Sequence, residues 1–190
     1  MRIDVMVDIE TLGTKADSTI IQISAIAFDI KTGEHISKFN KIADISKNED
    51  YEMNVTGGTL VWWLNTNKEL LTDLLNKGKG SSYELLQRFH SWLDDFSSMD
   101  IHLWGNGILF DNKMIQHQLE SIGLDYPIKY KHDRDVRTIV DLTCAKLGVD
   151  EKELRNMCYD PGLEPHDAFN DVVNQINLVV NCYKELTGAK

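Results

Sequence analysis

Three apolar runs fill most of the first 43 residues, and the pieces that join them are too short to hold a helix. In the first run, Ile3, Val5, Val7 and Ile9 alternate with Asp4, Met6, Asp8 and Glu10, the period of two that marks a β-strand. The second, TIIQISAIAFDI, is rich in β-branched residues, as in a buried strand, and the third is HISKFNKIA. Their links, TLGTKADS and KTGE, fall short of the dozen or so residues that a parallel crossover requires, so the three runs predict an antiparallel meander. Residues 44–58 are polar and irregular and read as a surface loop. TLVWWLNTN, KELLTDLLNKG and SYELLQRFHSWLDDF have the character of helices. Next come a strand at IHLWGN, a helix at LFDNKMIQHQLESIG and a weak strand at KYKHDRDVR, then helices at TIVDLTCAKLG and HDAFNDVVNQINLVVNCYKEL. A meander followed by alternating helix and strand predicts an α/β fold. Its mixed five-stranded sheet, an antiparallel meander followed by parallel strands, is flanked by helices on both faces.

A chain of 190 residues is sized for one domain, 1–190, with a substantial core. Its net charge of −10 excludes a protein that coats nucleic acid through a broad basic face. It leaves room for one that grips a chain end through metal ions, since bound cations bring their own positive charge. Cys144, Cys158 and Cys182 are odd in number and lack close ligand spacing, which argues for free thiols in a reducing compartment and against a zinc site. Asp4, Asp8 and Glu10 interrupt the N-terminus where a signal peptide would need an apolar stretch, and Gln22 and Ser24 break the run IIQISAIAF. The expectation is a soluble, cytoplasmic protein with no membrane partner.

Alternation puts Asp8 and Glu10 on one side of the first strand, where like charges repel unless solvent, a retained proton or a cation intervenes. One Asp-x-Glu says little, because a chain of this composition contains about one by chance. HDAFND carries more weight, since His-x-Ala-x-x-Asp is expected roughly 0.02 times on the same estimate. Here His166, Ala168 and Asp171 stand at the start of the last helix. Between these segments, WGNGILFDNKMI runs through Asn106 to Asp111 near a helix start, where an isolated Asp commonly serves as a cap.

Taken together, the three segments resemble the DEDD superfamily of 3′-to-5′ exonucleases, whose fold is similar to that of ribonuclease H. The His-x-Ala-x-x-Asp form matches the histidine-using DEDDh, or DnaQ-like, branch. The WWL at residues 62–64, WGNG before FDN, and RDVRTI are most like the RNase AS and phage DexA exonuclease subgroup. The resemblance implies a ribonuclease H-like sheet and two Mg²⁺ or Mn²⁺ ions held by Asp8, Glu10, Asp111 and Asp171. Two such ions about 4 Å apart clamp the attacking and leaving oxygens of an in-line displacement. It implies His166 as general base, an imidazole of ordinary pKa about 6.5 being matched to neutral pH.

By the same resemblance, Thr11 and Leu12 receive the terminal nucleotide, with the Leu12 side chain touching the last base. Trp62 and Trp63 are stacking candidates whose alternative is core packing, which is the expectation for at least one of them. Asn106 either bonds near the scissile nucleotide or fixes a turn. Asp135 and Arg137 either form a structural ion pair behind the site or contact phosphate, and the nearness of Asp135 to Arg137 favours the ion pair. The implied activity is hydrolysis of single-stranded RNA or DNA from its 3′ end to nucleoside 5′-monophosphates. A non-catalytic 3′-end-binding module of the same fold is the alternative, and a homodimer is an assembly that relatives adopt.

Overall fold

The computed structural model describes residues 1–48, 53–159, 162 and 167–189. The strands are β1 (Arg2–Thr11), β2 (Ile20–Phe28), β3 (His35–Ile42), β4 (Asp100–Gly105) and β5 (Asp133–Asp135). They form one sheet in the order β3-β2-β1-β4-β5, with β1 at its centre. β1 pairs antiparallel with β2, and β2 with β3, while β1–β4 and β4–β5 are parallel. This is the meander and mixed sheet that the sequence predicts.

Seven α-helices accompany the strands among the described residues: α1 (Gly57–Thr66), α2 (Lys68–Lys77), α3 (Ser82–Asp94), α4 (Asp111–Ser121), α5 (Val136–Leu147), α6 (Glu151–Cys158) and α7 (Ala168–Thr187). The alternation in β1 decides which helices cover which face. Ile3, Val5, Val7 and Ile9 pack with Leu85, Leu86 and Phe89 of α3 and Met114, Ile115 and Leu119 of α4. Met6, on the opposite face, joins Val136 and Val140 of α5 and Val172, Ile176 and Val179 of α7. A third cluster, Leu12, Ile21, Trp63, Leu71 and Leu74, seats α1 and α2 at the end of the sheet.

Three local readings need correction. The loop expected at 44–58 holds a short 3-10 turn at Ile45–Lys47 and the start of α1, while residues 49–52 lie outside the described ones. The weak strand expected over 129–137 shrinks to Asp133–Asp135, because Asp135 accepts the backbone N–H groups of Arg137 and Thr138 and so starts α5. Helix α6 has no counterpart among the sequence readings. Asp150 caps it by accepting from the Glu153 backbone N–H, and buried Leu154, with partly buried Cys158, anchors it in the core. Among the described residues, no helix is long and apolar enough to cross a membrane.

Candidate active site

Parallel strands β1 and β4 end at the same sheet edge, the side where open α/β sheets place their ligands. Asp8 and Glu10 stand at that end of β1, on the face that carries Met6 and α7. Helix α4 begins at Asp111, six residues beyond Gly105. A Cβ on Gly105 would come within 2.4 Å of Asn112 Oδ1, so the absent side chain lets α4 close onto the strand. Asn112 Nδ2 then donates to the Leu103 carbonyl at 3.1 Å and to Asp133 Oδ1 at 2.7 Å, tying α4 to β4 and β5. Asp111 is thereby buried at 5% exposure.

From the other side comes α7. Asp167 caps it by accepting from the Phe169 and Asn170 backbone N–H groups, which places Asp171 in the first turn. Carboxylate oxygens of Asp8, Glu10 and Asp171 lie within 4.8 Å of one another. One turn further along α7, Gln175 Nε2 donates to Asp8 Oδ1 at 2.9 Å. Gln175 is nearly buried, and its Oε1 has no partner among the described residues. No sequence reading singled out Gln175, although its spacing of four from Asp171 puts both on one helix face.

The electrostatics follow from this crowding. Burial, then the neighbouring carboxylates Asp8 and Asp171, push Glu10 up to about 10. Burial also raises Asp111 to about 7, against the pull of the Ile9 and Asp111 backbone N–H groups and of Arg137. Asp8 lies well above the usual carboxylate range, through burial and then Asp111, while the Gln175 hydrogen bond opposes the rise. Without a cation the cluster keeps protons at neutral pH. The converging carboxylates of Asp8, Glu10 and Asp171, with Asp111 buried close to Asp8, make an all-oxygen donor set that fits a hard divalent ion such as Mg²⁺ or Mn²⁺.

Two cavities flank the carboxylates. One, about 410 Å³, is lined by Glu10, Thr11, Thr14, Thr59, Trp62 and Phe110, among others. The other, about 520 Å³, is lined by Asp8, Asn106, Arg155, Tyr159, Asp171 and Gln175, among others. Trp62 is 44% exposed at the first, while Trp63 is 1% exposed and donates its Nε1–H to the Thr11 carbonyl at 3.0 Å. Both tryptophans also line the cavity wall, their rings meeting edge-on at 5.2 Å.

Leu12 differs from expectation. It is 2% exposed, packed in the third apolar cluster with Ile21, Trp63, Leu71 and Leu74, and so does not offer its side chain to a base. Thr11 lines the first cavity and donates its hydroxyl to the Gly13 carbonyl at 2.6 Å. Asp135 does not pair with the Arg137 side chain: its oxygens accept the Ile108, Arg137 and Thr138 backbone N–H groups. His166 lies outside the described residues. Phe110 and Arg155 join the cavity walls without having been picked out in the sequence.

Known proteins share this fold. The nuclease domain of 3′hExo, a DEDDh family member bound to rAMP, superposes with a TM-score of 0.64 at 15% identity, covering 99% of this chain and 94% of that one. A zinc-bound E. coli exonuclease I complex with single-stranded DNA gives 0.68 at 20% identity, covering 98% of this chain. The chain spans only 41% of that exonuclease I chain, so the likeness concerns one part of it. By sequence, the exodeoxyribonuclease of Enterobacteria phage T4 is 22% identical over 196 residues, covering 91% of this chain and 86% of the phage protein. The family described as "3′-5′ exoribonuclease Rv2179c-like domain" matches residues 3–183, nearly the whole length. With a mixed five-stranded sheet that brings Asp8, Glu10 and Asp171 together at one edge, the chain belongs to that family.

Proposed function

We propose that residues 1–190 act as one catalytic domain that removes nucleoside 5′-monophosphates from the 3′ end of single-stranded nucleic acid. Asp8, Glu10, Asp111 and Asp171 would hold two Mg²⁺ or Mn²⁺ ions. When bound, such ions supply positive charge that stabilises the phosphorus centre and both its attacking and leaving oxygens. The observation that carries this reading is the convergence of Asp8, Glu10 and Asp171 oxygens within 4.8 Å beside a cavity walled by Trp62 and Phe110. An aromatic wall receives a base of any sequence by stacking. His166, adjoining the Asp167 cap, takes a proton from the attacking water as the bond from phosphorus to the upstream 3′-oxygen breaks.

The family match over residues 3–183 favours RNA as substrate. DNA is the second reading, favoured by the phage exodeoxyribonuclease. A time course on 5′-labelled single-stranded RNA and DNA of one sequence, with Mg²⁺, Mn²⁺ or EDTA, tests both. The expected result is a descending ladder on RNA that EDTA abolishes. A faster ladder on DNA selects the second reading. No ladder on either polymer overturns the exonuclease reading in favour of a non-catalytic end-binding module, which retention of all four carboxylates argues against.

Gln175 is assigned the orientation of Asp8. Gln175→Ala is expected to lower kcat by about tenfold and to raise the Mn²⁺ concentration for half-maximal rate, since partners that orient a metal ligand are worth about 10–100-fold. Unchanged Mn²⁺ dependence in a cation titration would show that the hydrogen bond is incidental.

A further inference from the structure

We propose that Arg137 and Arg155, which reach the Asn106–Gly107 turn from α5 and α6, bind the backbone phosphates of the strand just upstream of the scissile bond. The proposal rests on the exonuclease reading and adds to it the path of the retained strand.

A chain of net charge −10 needs local positive charge wherever a phosphate backbone is to run. Among the described residues that line the cavity walled by Trp62 and Phe110 there is no Lys or Arg. The cavity on the Asp8 and Asp171 side has Arg155. A strand whose last phosphate sits at the carboxylates extends from them in two directions: the terminal nucleotide fits the apolar side, and the charged backbone fits the side with a guanidinium. Desolvating phosphates against Trp62 and Phe110 would cost far more than desolvating a base there.

Two separate helices bring guanidinium groups to the same turn. Gly107 has φ +127°, and a Cβ there would lie 3.4 Å from both Cζ and Nη2 of Arg137, so that side chain lies against bare backbone. Arg137 is exposed, and its guanidinium has no ion-pair or hydrogen-bond partner among the described residues. Asp135, the nearby acid in sequence, already accepts three backbone N–H groups, which fixes the turn and the start of α5. Arg137 is also close enough to Asp111 for its charge to oppose the rise of that carboxyl.

At the same turn, Arg155 Nη2 lies 3.5 Å from Asn106 Oδ1 while its Nε–H donates to Glu151 Oε1 at 2.7 Å. Such an exposed pair four residues apart on a helix is worth only a few tenths of a kcal/mol, so Arg155 can exchange it for a phosphate at little cost. Ordinary solvated arginines would account for each side chain singly. They do not account for two guanidinium groups, from α5 and α6, meeting at the turn that leads into Asp111.

The test compares a dinucleoside monophosphate, whose only phosphate is the scissile one, with an octanucleotide, in ribo and deoxyribo series. For R137A/R155A the preference for octamer over dimer, read as the ratio of kcat/KM values, is expected to fall by about tenfold, mostly through KM. The dependence of log kcat/KM on log salt should flatten by about 0.7 for each phosphate that the variant no longer neutralises. Glu151→Gln, which releases Arg155, should raise the octamer preference. An unchanged preference and salt slope, or equal losses on both substrates, overturns the proposal. If the wild-type protein cleaves neither substrate, the exonuclease reading itself fails, and this outcome is separate from the others.

Discussion

Asp8→Asn is expected to lower 3′-end trimming by about 10³-fold or more while raising the melting temperature of the cation-free protein. The first effect follows from the central place of Asp8, near Glu10, Asp171 and Asp111 and held by Gln175. Cation charge at a phosphoryl centre contributes several kcal/mol to catalysis, and each 1.36 kcal/mol is a factor of ten in rate. The second effect follows from the crowding. Asn has almost the shape of Asp, still offers Oδ1 to the Gln175 Nε2–H, and removes one of the charges that push Glu10 upward. Relief of about 1 kcal/mol raises the melting temperature of a chain this size by about 2–4 °C. Rates on labelled RNA and thermal melts in EDTA check the two together. A variant that trims at the wild-type rate would remove Asp8 from the chemistry. One that is inactive but melts lower would show the carboxylate to be structurally stabilising, contrary to the burial that raises it.

Much of this site was legible because strand parity and helix spacing are simple rules that tertiary packing seldom overrides. Alternation in β1 put Asp8 and Glu10 on one side, and that side proved to be the α7 face where Asp171 arrives. Leu12 is set against the last base by resemblance alone, and no spacing in the sequence reports that just past the end of β1 it packs with Ile21, Trp63, Leu71 and Leu74. Trp62 and Trp63 are neighbours on a helix, about 100° apart, so one had to face inward. The sequence contained nothing to reveal that Trp63 would find the Thr11 carbonyl. The short helix α6 hid in an acidic stretch with one buried anchor, Leu154, although Asp150 followed by Glu153 is a helix-start pattern. Arg155 went unnoticed for the same reason. Its position beside Asn106 depends on a helix packing that periodicity does not encode.

The stability of the cation-free protein is expected to fall between pH 7 and 8, and divalent ions should restore more of it at the higher pH. Unfolded carboxyl groups have lost their protons well below pH 7, whereas folded Glu10, at about 10, still holds one at pH 8, and Asp111, at about 7, releases its own across this window. The folded state therefore binds more protons than the unfolded state, and stability falls as pH rises by about 1.4 kcal/mol per unit for each proton retained. The window avoids His102, which burial lowers to about 4: its contribution has the opposite sign, rising with pH, and is nearly complete once unfolded histidine is neutral. It also lies below most of the titration of the unfolded thiols. Cations bind the deprotonated cluster, so they compete with fewer protons as pH rises. At a concentration of about 100 Kd an ion contributes about 2.7 kcal/mol, or about 5–10 °C in this size range. Melts with EDTA or Mn²⁺ at pH 7 and 8, beside Glu10→Gln, measure the effect, and the variant should show a shallower decline. A melting temperature that rises with pH in EDTA, or an equal Mn²⁺ increment at both pH values, would mean that solvent already ionises the cluster, and the carboxylates would then need no cation to stay together.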